Sequence, residues 1–254
     1  MGKVYLVGAG PGAPDLLTLR AARLLAGADV VFYDALVHPQ TVALAVKARR
    51  VLVGKRAGRL STEQRFINRA LVEAGLRHHT VVRLKGGDPM LFGRAQEEID
   101  ALRTAGVECE VVPGVTAALT AAASIKTSLT RRGVARSVTF ATPRVAPGAE
   151  DSDWIDAATN ADTAILYMAA SNAAQVTTAL LAAGRAPDTP VVVVENASLP
   201  DERQLRTTLR SLPDIAHQSL TGPTLVCIGA VFATPAEASA NSIAPNAFGT
   251  QAAS

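Results

Sequence analysis

Val82-Arg83-Leu84-Lys85-Gly86-Gly87-Asp88-Pro89-Met90-Leu91-Phe92-Gly93-Arg94 is an apolar β run that stops at two glycines, an acid and a proline before a helical pattern resumes. Adjacent glycines let the backbone enter positive φ and approach a bound molecule with no Cβ in the way. Pro89 keeps the exit of the turn out of a helix. Open α/β sheets are wound from units of strand, glycine loop and helix, and such loops at strand C-terminal ends are where those sheets bind small molecules. Taken alone, Gly86-Gly87-Asp88-Pro89 reads equally well as a plain turn, so its neighbours decide.

Outward from this loop, short β-branched runs alternate with longer Ala/Leu/Arg-rich segments of helical period, which is the signature of parallel α/β architecture. The pattern predicts strands at 4–8, 30–33, 50–53, 80–84 and 107–112, and helices at 16–26, 41–48, 63–74 and 94–104, the third ending where Gly75 serves as a C-terminal cap. After Pro113-Gly114 the pattern restarts with a small-residue helix at 115–124. Strands follow at 137–142, 163–168, 190–195, 204–208 and 223–229. The expectation is two α/β domains, 1–113 and 114–234, with a ligand-binding cleft between them. The Ala/Ser/Asn/Pro-rich tail, 235–254, lacks the apolar content to fold.

At 254 residues with 48% apolar content, the chain can bury a full core. A net charge of only +3, with Lys and Arg scattered rather than striped, argues against a nucleic-acid binder and leaves an anionic small substrate open. No apolar run approaches a membrane span, and the start is broken by Gly8 too soon to be a signal peptide, so a cytoplasmic protein with no membrane partner is expected. Cys109 and Cys227 are too far apart for a metal-ligand motif, Cys227 reading as a small core residue, and the four histidines lack metal spacing. No metal is expected.

A second glycine loop, Gly8-Ala9-Gly10-Pro11-Gly12-Ala13, follows the first strand and fits the dinucleotide pattern G-x-G-x-x-A, with Asp34 ending the second strand where a ribose acid would stand. Yet a pyrophosphate needs backbone N–H groups at a helix N-terminus. Pro11 and Pro14 each remove a donor there, and Asp15 would repel phosphate. A nicotinamide dehydrogenase is therefore the competing hypothesis rather than the preferred one.

Six motifs in order decide between them. Val4-Tyr5-Leu6-Val7-Gly8-Ala9-Gly10-Pro11-Gly12 with Asp15-Leu16-Leu17-Thr18-Leu19, Val31-Phe32-Tyr33-Asp34-Ala35-Leu36-Val37, Val53-Gly54-Lys55-Arg56-Ala57-Gly58, the Gly86-Gly87-Asp88-Pro89 loop, Val112-Pro113-Gly114-Val115-Thr116-Ala117-Ala118 and Leu129-Thr130-Arg131-Arg132-Gly133 together resemble the tetrapyrrole methylases. The resemblance runs from residue 3 to about residue 232, taking in Tyr167-Met168 and Val194-Glu195-Asn196-Ala197. Because the motif begins at residue 3, the expected form is the stand-alone methylase without a preceding dehydrogenase and chelatase module. One departure is the segment Ser124-Ile125-Lys126-Thr127-Ser128, where a glycine-containing stretch is usual.

The resemblance implies two α/β domains with the active site in the interdomain cleft, S-adenosylmethionine as methyl donor with S-adenosylhomocysteine as product, and a homodimer. It also implies two successive C-methylations of uroporphyrinogen III, a tetrapyrrole, to precorrin-2 for sirohaem or cobalamin synthesis. By that resemblance Pro11, Gly86, Gly87, Asp88, Leu91, Thr116, Ala117, Met168 and Ala197 would contact the donor. Asp34 would stand as general base and Lys55 as proton donor. Arg56, Arg131 and Arg132 would meet substrate carboxylates.

The chemistry is consistent with that set. Methyl transfer from a sulfonium to an electron-rich pyrrole carbon asks chiefly for alignment in a water-poor site. The methylated ring then loses a proton, for which a nearby carboxylate is useful. Read without the resemblance, Asp34 is an Asx cap on the turn into Ala35, the arginines are solvated loop charge, and Met168 is core at a strand end.

Overall fold

The computed structural model describes residues 2–53, 64–144 and 153–234. They form two compact units. The first comprises residues 1–126 with two later excursions, 195–203 and 221–223, and the second holds the remainder.

In the first unit five parallel strands, β1 (Lys3–Gly8), β2 (Val30–Tyr33), β3 (Arg49–Leu52), β4 (Thr80–Lys85) and β5 (Glu108–Val112), lie in the order β3-β2-β4-β1-β5. Alternation along the strands feeds two cores. Val4, Leu6, Val30, Phe32 and Val81 pack with Ile67, Leu71 and Ala74 of α3 (Gln64–Arg77) and with Leu102 of α4 (Ala95–Thr104). Val7, Val31, Val82 and Leu84 pack on the other face with Ala21 and Leu25 of α1 (Leu19–Gly27) and Val42 of α2 (Pro39–Ala43). A sheet covered on both faces is the physical reason these strands read as nearly continuous apolar runs.

Helix starts differ from the pattern where caps outrank periodicity. The chain first makes a 3₁₀ turn at Pro14–Leu16, and α1 begins only at Leu19, where the Thr18 hydroxyl accepts from Ala21 N–H at 3.2 Å. Helix α2 begins two residues earlier than expected, where Pro39 opens it behind His38, whose Nδ1 accepts from Gln40 N–H, and it ends at Ala43. Gly75 does not cap α3, which continues to Arg77. A Cβ at Gly75 would stand 2.5 Å from Val107 Cγ1 and 3.0 Å from Val4 Cγ2, so the glycine lets the helix approach the sheet. Gly75→Ala should cost about 1 to 3 kcal/mol through overpacking. A lower urea midpoint at unchanged slope would register it; an unchanged midpoint would mean the two valines yield.

The division between units falls at residue 126 rather than at the expected Pro113. Gly114 is tied back to the first sheet: its N–H donates to Asp88 Oδ2, and its backbone lies against Gly8. Helix α5 (Ala117–Ser124) therefore belongs to the first unit. In the segment that departs from the usual glycine, Lys126 adopts φ +54°, a left-handed conformation that strains a residue with a Cβ.

The second unit carries β6 (Val138–Ala141), β7 (Thr163–Tyr167), β8 (Pro190–Glu195), β9 (Arg203–Thr208) and β10 (Thr224–Gly229) in the order β6-β7-β10-β8-β9, with β6 parallel and β10 antiparallel to β7. Two helices that the sequence pattern does not predict, α6 (Trp154–Asn160) and α7 (Ala173–Ala182), cover one face through Ala158, Ala173, Val176 and Leu180. Cys227 is buried on β10, and burial pushes its thiol up to about 12, as suits an inert core residue.

Candidate functional site

The register of the first sheet puts Leu52, Tyr33, Leu84, Val7 and Val112 on one rung. The loops that begin at Gly8, Asp34, Gly86 and Pro113 leave the sheet just beyond it. From β1 the chain crosses towards β2, whereas from β4 it crosses the other way to β5, so the sheet reverses between β1 and β4. Ligands of open α/β sheets bind at that reversal. The Gly8–Gly12 and Gly86–Gly87 loops leave from those two strands.

The two loops are joined main chain to main chain. Gly87 N–H donates to Gly10 O at 2.7 Å, and Gly10 N–H to Gly87 O at 3.2 Å. Both glycines need positive φ, +75° at Gly10 and +67° at Gly87. A Cβ at Gly8 would stand 2.5 Å from Gly114 Cα and 2.7 Å from Gly87 O, so three loops meet with no room for a side chain. A Cβ on Gly87 itself would meet nothing within 4 Å, which leaves open space beside a bare backbone. This is a cradle of the kind a flat or extended ligand fits.

Asp88 ties the cradle together. Its Oδ1 accepts from Met90 N–H at 2.8 Å and its Oδ2 from Gly114 N–H at 2.9 Å, so this carboxylate organises the β4 and β5 loops. Leu91 is half-buried in the same turn, its N–H donating to Asp88 O. Thr116 is the N-cap position of α5 and Ala117 its first residue. Pro11 is half-buried in the first loop. No helix N-terminus follows that loop directly, because the Pro14–Leu16 turn intervenes.

Ala197 joins the same unit by the first excursion. Glu195, 2% exposed, accepts from Thr221 N–H at 2.6 Å and Gly222 N–H at 2.7 Å through Oε1, and from Arg203 through Oε2. The clamp holds a turn in which Asn196 and Ser198 both adopt positive φ. The Ser198 hydroxyl accepts from Ala13 N–H at 3.0 Å, which brings the turn to the first glycine loop. Non-glycine residues held in such conformations are concentrated at ligand sites.

Asp34 does not cap its own turn. That turn closes through the main chain, Val37 N–H to Asp34 O, while Asp34 Oδ1 accepts from Arg83 Nη2 at 2.6 Å. Arg83 also donates through Nε to Glu98 Oε1 at 3.0 Å, and Lys85 Nζ lies 3.0 Å from both Glu98 oxygens. Burial, and then the neighbouring Arg83 charge, push the Lys85 ammonium below its usual value. Sequence reasoning assigned no role to Arg83, Lys85, Glu98 or Glu195. Its clue was two charges at alternate positions of a strand otherwise apolar on both faces.

The remaining expected residues lie on the second unit or outside the described residues. Met168 follows β7 with φ +56° and is 41% exposed, which removes the reading as core. Arg131 and Arg132 precede Gly133 in a tight turn closed by Arg131 and Ala135, exposed and without a carboxylate partner among the described residues. Lys55 and Arg56 lie outside the described residues. Among those described, no three His, Cys, Asp or Glu side chains gather as a metal site.

Similarity to known proteins extends over most of the chain. The family profile of the Tetrapyrrole (Corrin/Porphyrin) Methylases matches residues 3–213. A uroporphyrinogen-III C-methyltransferase of Paracoccus denitrificans is 45% identical over 236 residues, covering 92% of this chain and 82% of that protein. A siroheme synthase of Aeromonas hydrophila is 44% identical over 231 residues, 91% of this chain but 49% of that longer protein. Among solved structures, the uroporphyrin-III C-methyl transferase of Thermus thermophilus complexed with S-adenyl homocysteine superposes with a TM-score of 0.80 at 40% identity, covering 91% of this chain and 98% of that one. With the family profile running from β1 through β9 and the glycine loops meeting at the sheet reversal, this chain belongs to the tetrapyrrole methylases.

Proposed function

We propose that this protein is an S-adenosylmethionine-dependent C-methyltransferase that methylates uroporphyrinogen III at C2 and C7 to give precorrin-2, feeding sirohaem or cobalamin synthesis. The observation that carries the reading is the bare glycine cradle at the sheet reversal, together with an Asp34 carboxylate held by Arg83 at the end of the strand next to β4, in a chain of this family. The residues present fit the donor: the open space at Gly87 would take a ligand that a side chain would exclude. The donor supplies an activated methyl group on a sulfonium.

Each protein group then has one task. Gly10, Gly86 and Gly87 offer backbone at close approach, Asp88 keeps the β4 and β5 loops in step, and the Glu195 clamp presents Ala197. Pro11, Leu91, Thr116, Ala117 and Met168 complete the donor contacts. Methyl transfer leaves the ring cationic, and Asp34 accepts the proton that the ring gives up to become neutral, while Lys55 keeps the proton-donor place that the family resemblance gives it. The direct test is incubation with enzymatically made uroporphyrinogen III and methyl-labelled donor. A dimethylated product supports the reading; binding of NADH in place of S-adenosylhomocysteine would replace it.

The exposed Arg131 and Arg132 serve, with Arg56, as cations for the acetate and propionate arms of the substrate. Replacing either of the two turn arginines by Ala should raise KM for uroporphyrinogen by the worth of one charged hydrogen bond, about 1.5 to 3 kcal/mol, with kcat little changed. An unchanged KM for both would make them solvated charge.

The working form is a homodimer in the cytoplasm. Light scattering at micromolar concentration should give twice the chain mass, and a monomer would refute it. No helix among the described residues is long and apolar enough to cross a membrane.

A further inference from the structure

Arg83, Lys85 and Glu98 have no part in the chemistry above, yet they are 2%, 3% and 0% exposed. Arg83 and Lys85 alternate with Val82 and Leu84 on β4, and they face α4, which carries Glu98. Charges so placed are a poor source of stability, since each ion loses several kcal/mol of hydration and well-packed apolar residues of similar volume often do as well or better. What such a cluster supplies is direction.

The directions are specific. Glu98 Oε1 accepts from Arg83 Nε at 3.0 Å, from Lys85 Nζ at 3.0 Å and from Gln64 Nε2 at 3.2 Å, and Oε2 accepts from Lys85 at 3.0 Å. The guanidinium of Arg83 is thereby fixed from below. Its Nη1 donates to Leu84 O at 3.3 Å, which fixes its plane against its own strand. The outward bond that remains, from Nη2, goes to Asp34 Oδ1 at 2.6 Å. Asp34 is the one member of the cluster with appreciable exposure, 27% at the side chain, against 3%, 4% and 0% for the others. Among the described residues its Oδ2 accepts no hydrogen bond, so one carboxylate oxygen is held and the other is presented.

We propose that Arg83, anchored by Glu98, is a positioning residue that sets the orientation of the Asp34 carboxylate for proton acceptance. The inference rests on the reading of Asp34 as the proton acceptor. A lysine at position 83 would keep the charge, but a single ammonium lacks the planar fork that serves Glu98, Leu84 O and Asp34 together.

A double-mutant cycle tests this in the full-length protein, with kcat and KM from labelled-methyl transfer, S-adenosylhomocysteine affinity from calorimetry and folding from circular dichroism. Arg83→Met should lower kcat about 100-fold, the size of effect that misplacing a reacting group by an ångström produces. KM and donor affinity should stay within about 3-fold, and Arg83→Lys should recover part of the loss. In an Asp34→Asn background the same Arg83 change should cost nothing further in kcat, because the group it positions no longer accepts a proton.

Equal losses in both backgrounds, or no loss of kcat with Asp34 intact, would overturn the positioning role. If Arg83→Met does not fold, the cycle is run with Arg83→Lys: a loss confined to the Asp34 background supports the role, and full activity overturns it. Failure of the underlying reading is separately visible, because Asp34→Asn alone would then leave kcat intact.

Discussion

Asp34→Asn should lower kcat by about 100- to 10,000-fold, the usual cost of losing a general base. The structure makes this a clean substitution. Asparagine keeps the size of the side chain, and its amide oxygen can accept from Arg83 Nη2 where Asp34 Oδ1 does now at 2.6 Å. The change then falls on the presented oxygen, which becomes an NH₂ group that accepts no proton. Affinity for S-adenosylhomocysteine, measured by calorimetry, should stay within about 2-fold, as expected of a group that acts after donor binding. A large rise in KM for uroporphyrinogen with kcat intact would make Asp34 a substrate-positioning group.

The second large effect is expected at the cradle. Gly87→Val should abolish measurable S-adenosylhomocysteine binding while far-UV circular dichroism stays native. A Cβ at Gly87 meets no protein atom, so the fold has room for it, but φ +67° is a conformation that β-branched residues rarely adopt. The new side chain would stand in the open space beside the loop, and any relaxation of φ would strain both hydrogen bonds to Gly10. Unchanged affinity would remove this loop from the donor site.

Much of the first unit was legible because its signals are local. Val30 to Tyr33 and the two glycine loops announce themselves within a few residues, and their convergence follows once the strands are parallel. The second unit was less legible. Helix α7 does bury Ala173, Val176, Thr177 and Leu180 at helical spacing, but alanine and threonine give little contrast between faces. Gly75 misled because a glycine near a helix end is usually a cap, and close approach to Val107 depends on a strand far along the chain. The Arg83–Glu98 pair is non-local in the same way: which helix covers the charged face of β4 is a fact of topology.

The meeting of Gly8, Gly87 and Gly114 has a genetic corollary. Where a new side chain would collide with another side chain, a change elsewhere can restore the fit. A Cβ at Gly12 would stand 2.9 Å from Leu199 Cγ, so a smaller residue at 199 is a natural suppressor of Gly12→Ala. At Gly8 the obstructing atoms are Gly114 N and Cα and Gly87 O, and at Gly114 they are Gly87 O and the backbone of Gly8. No codon encodes a residue with less main chain than glycine. Lesions at Gly8 and Gly114 therefore have no intragenic suppressor at the point of contact.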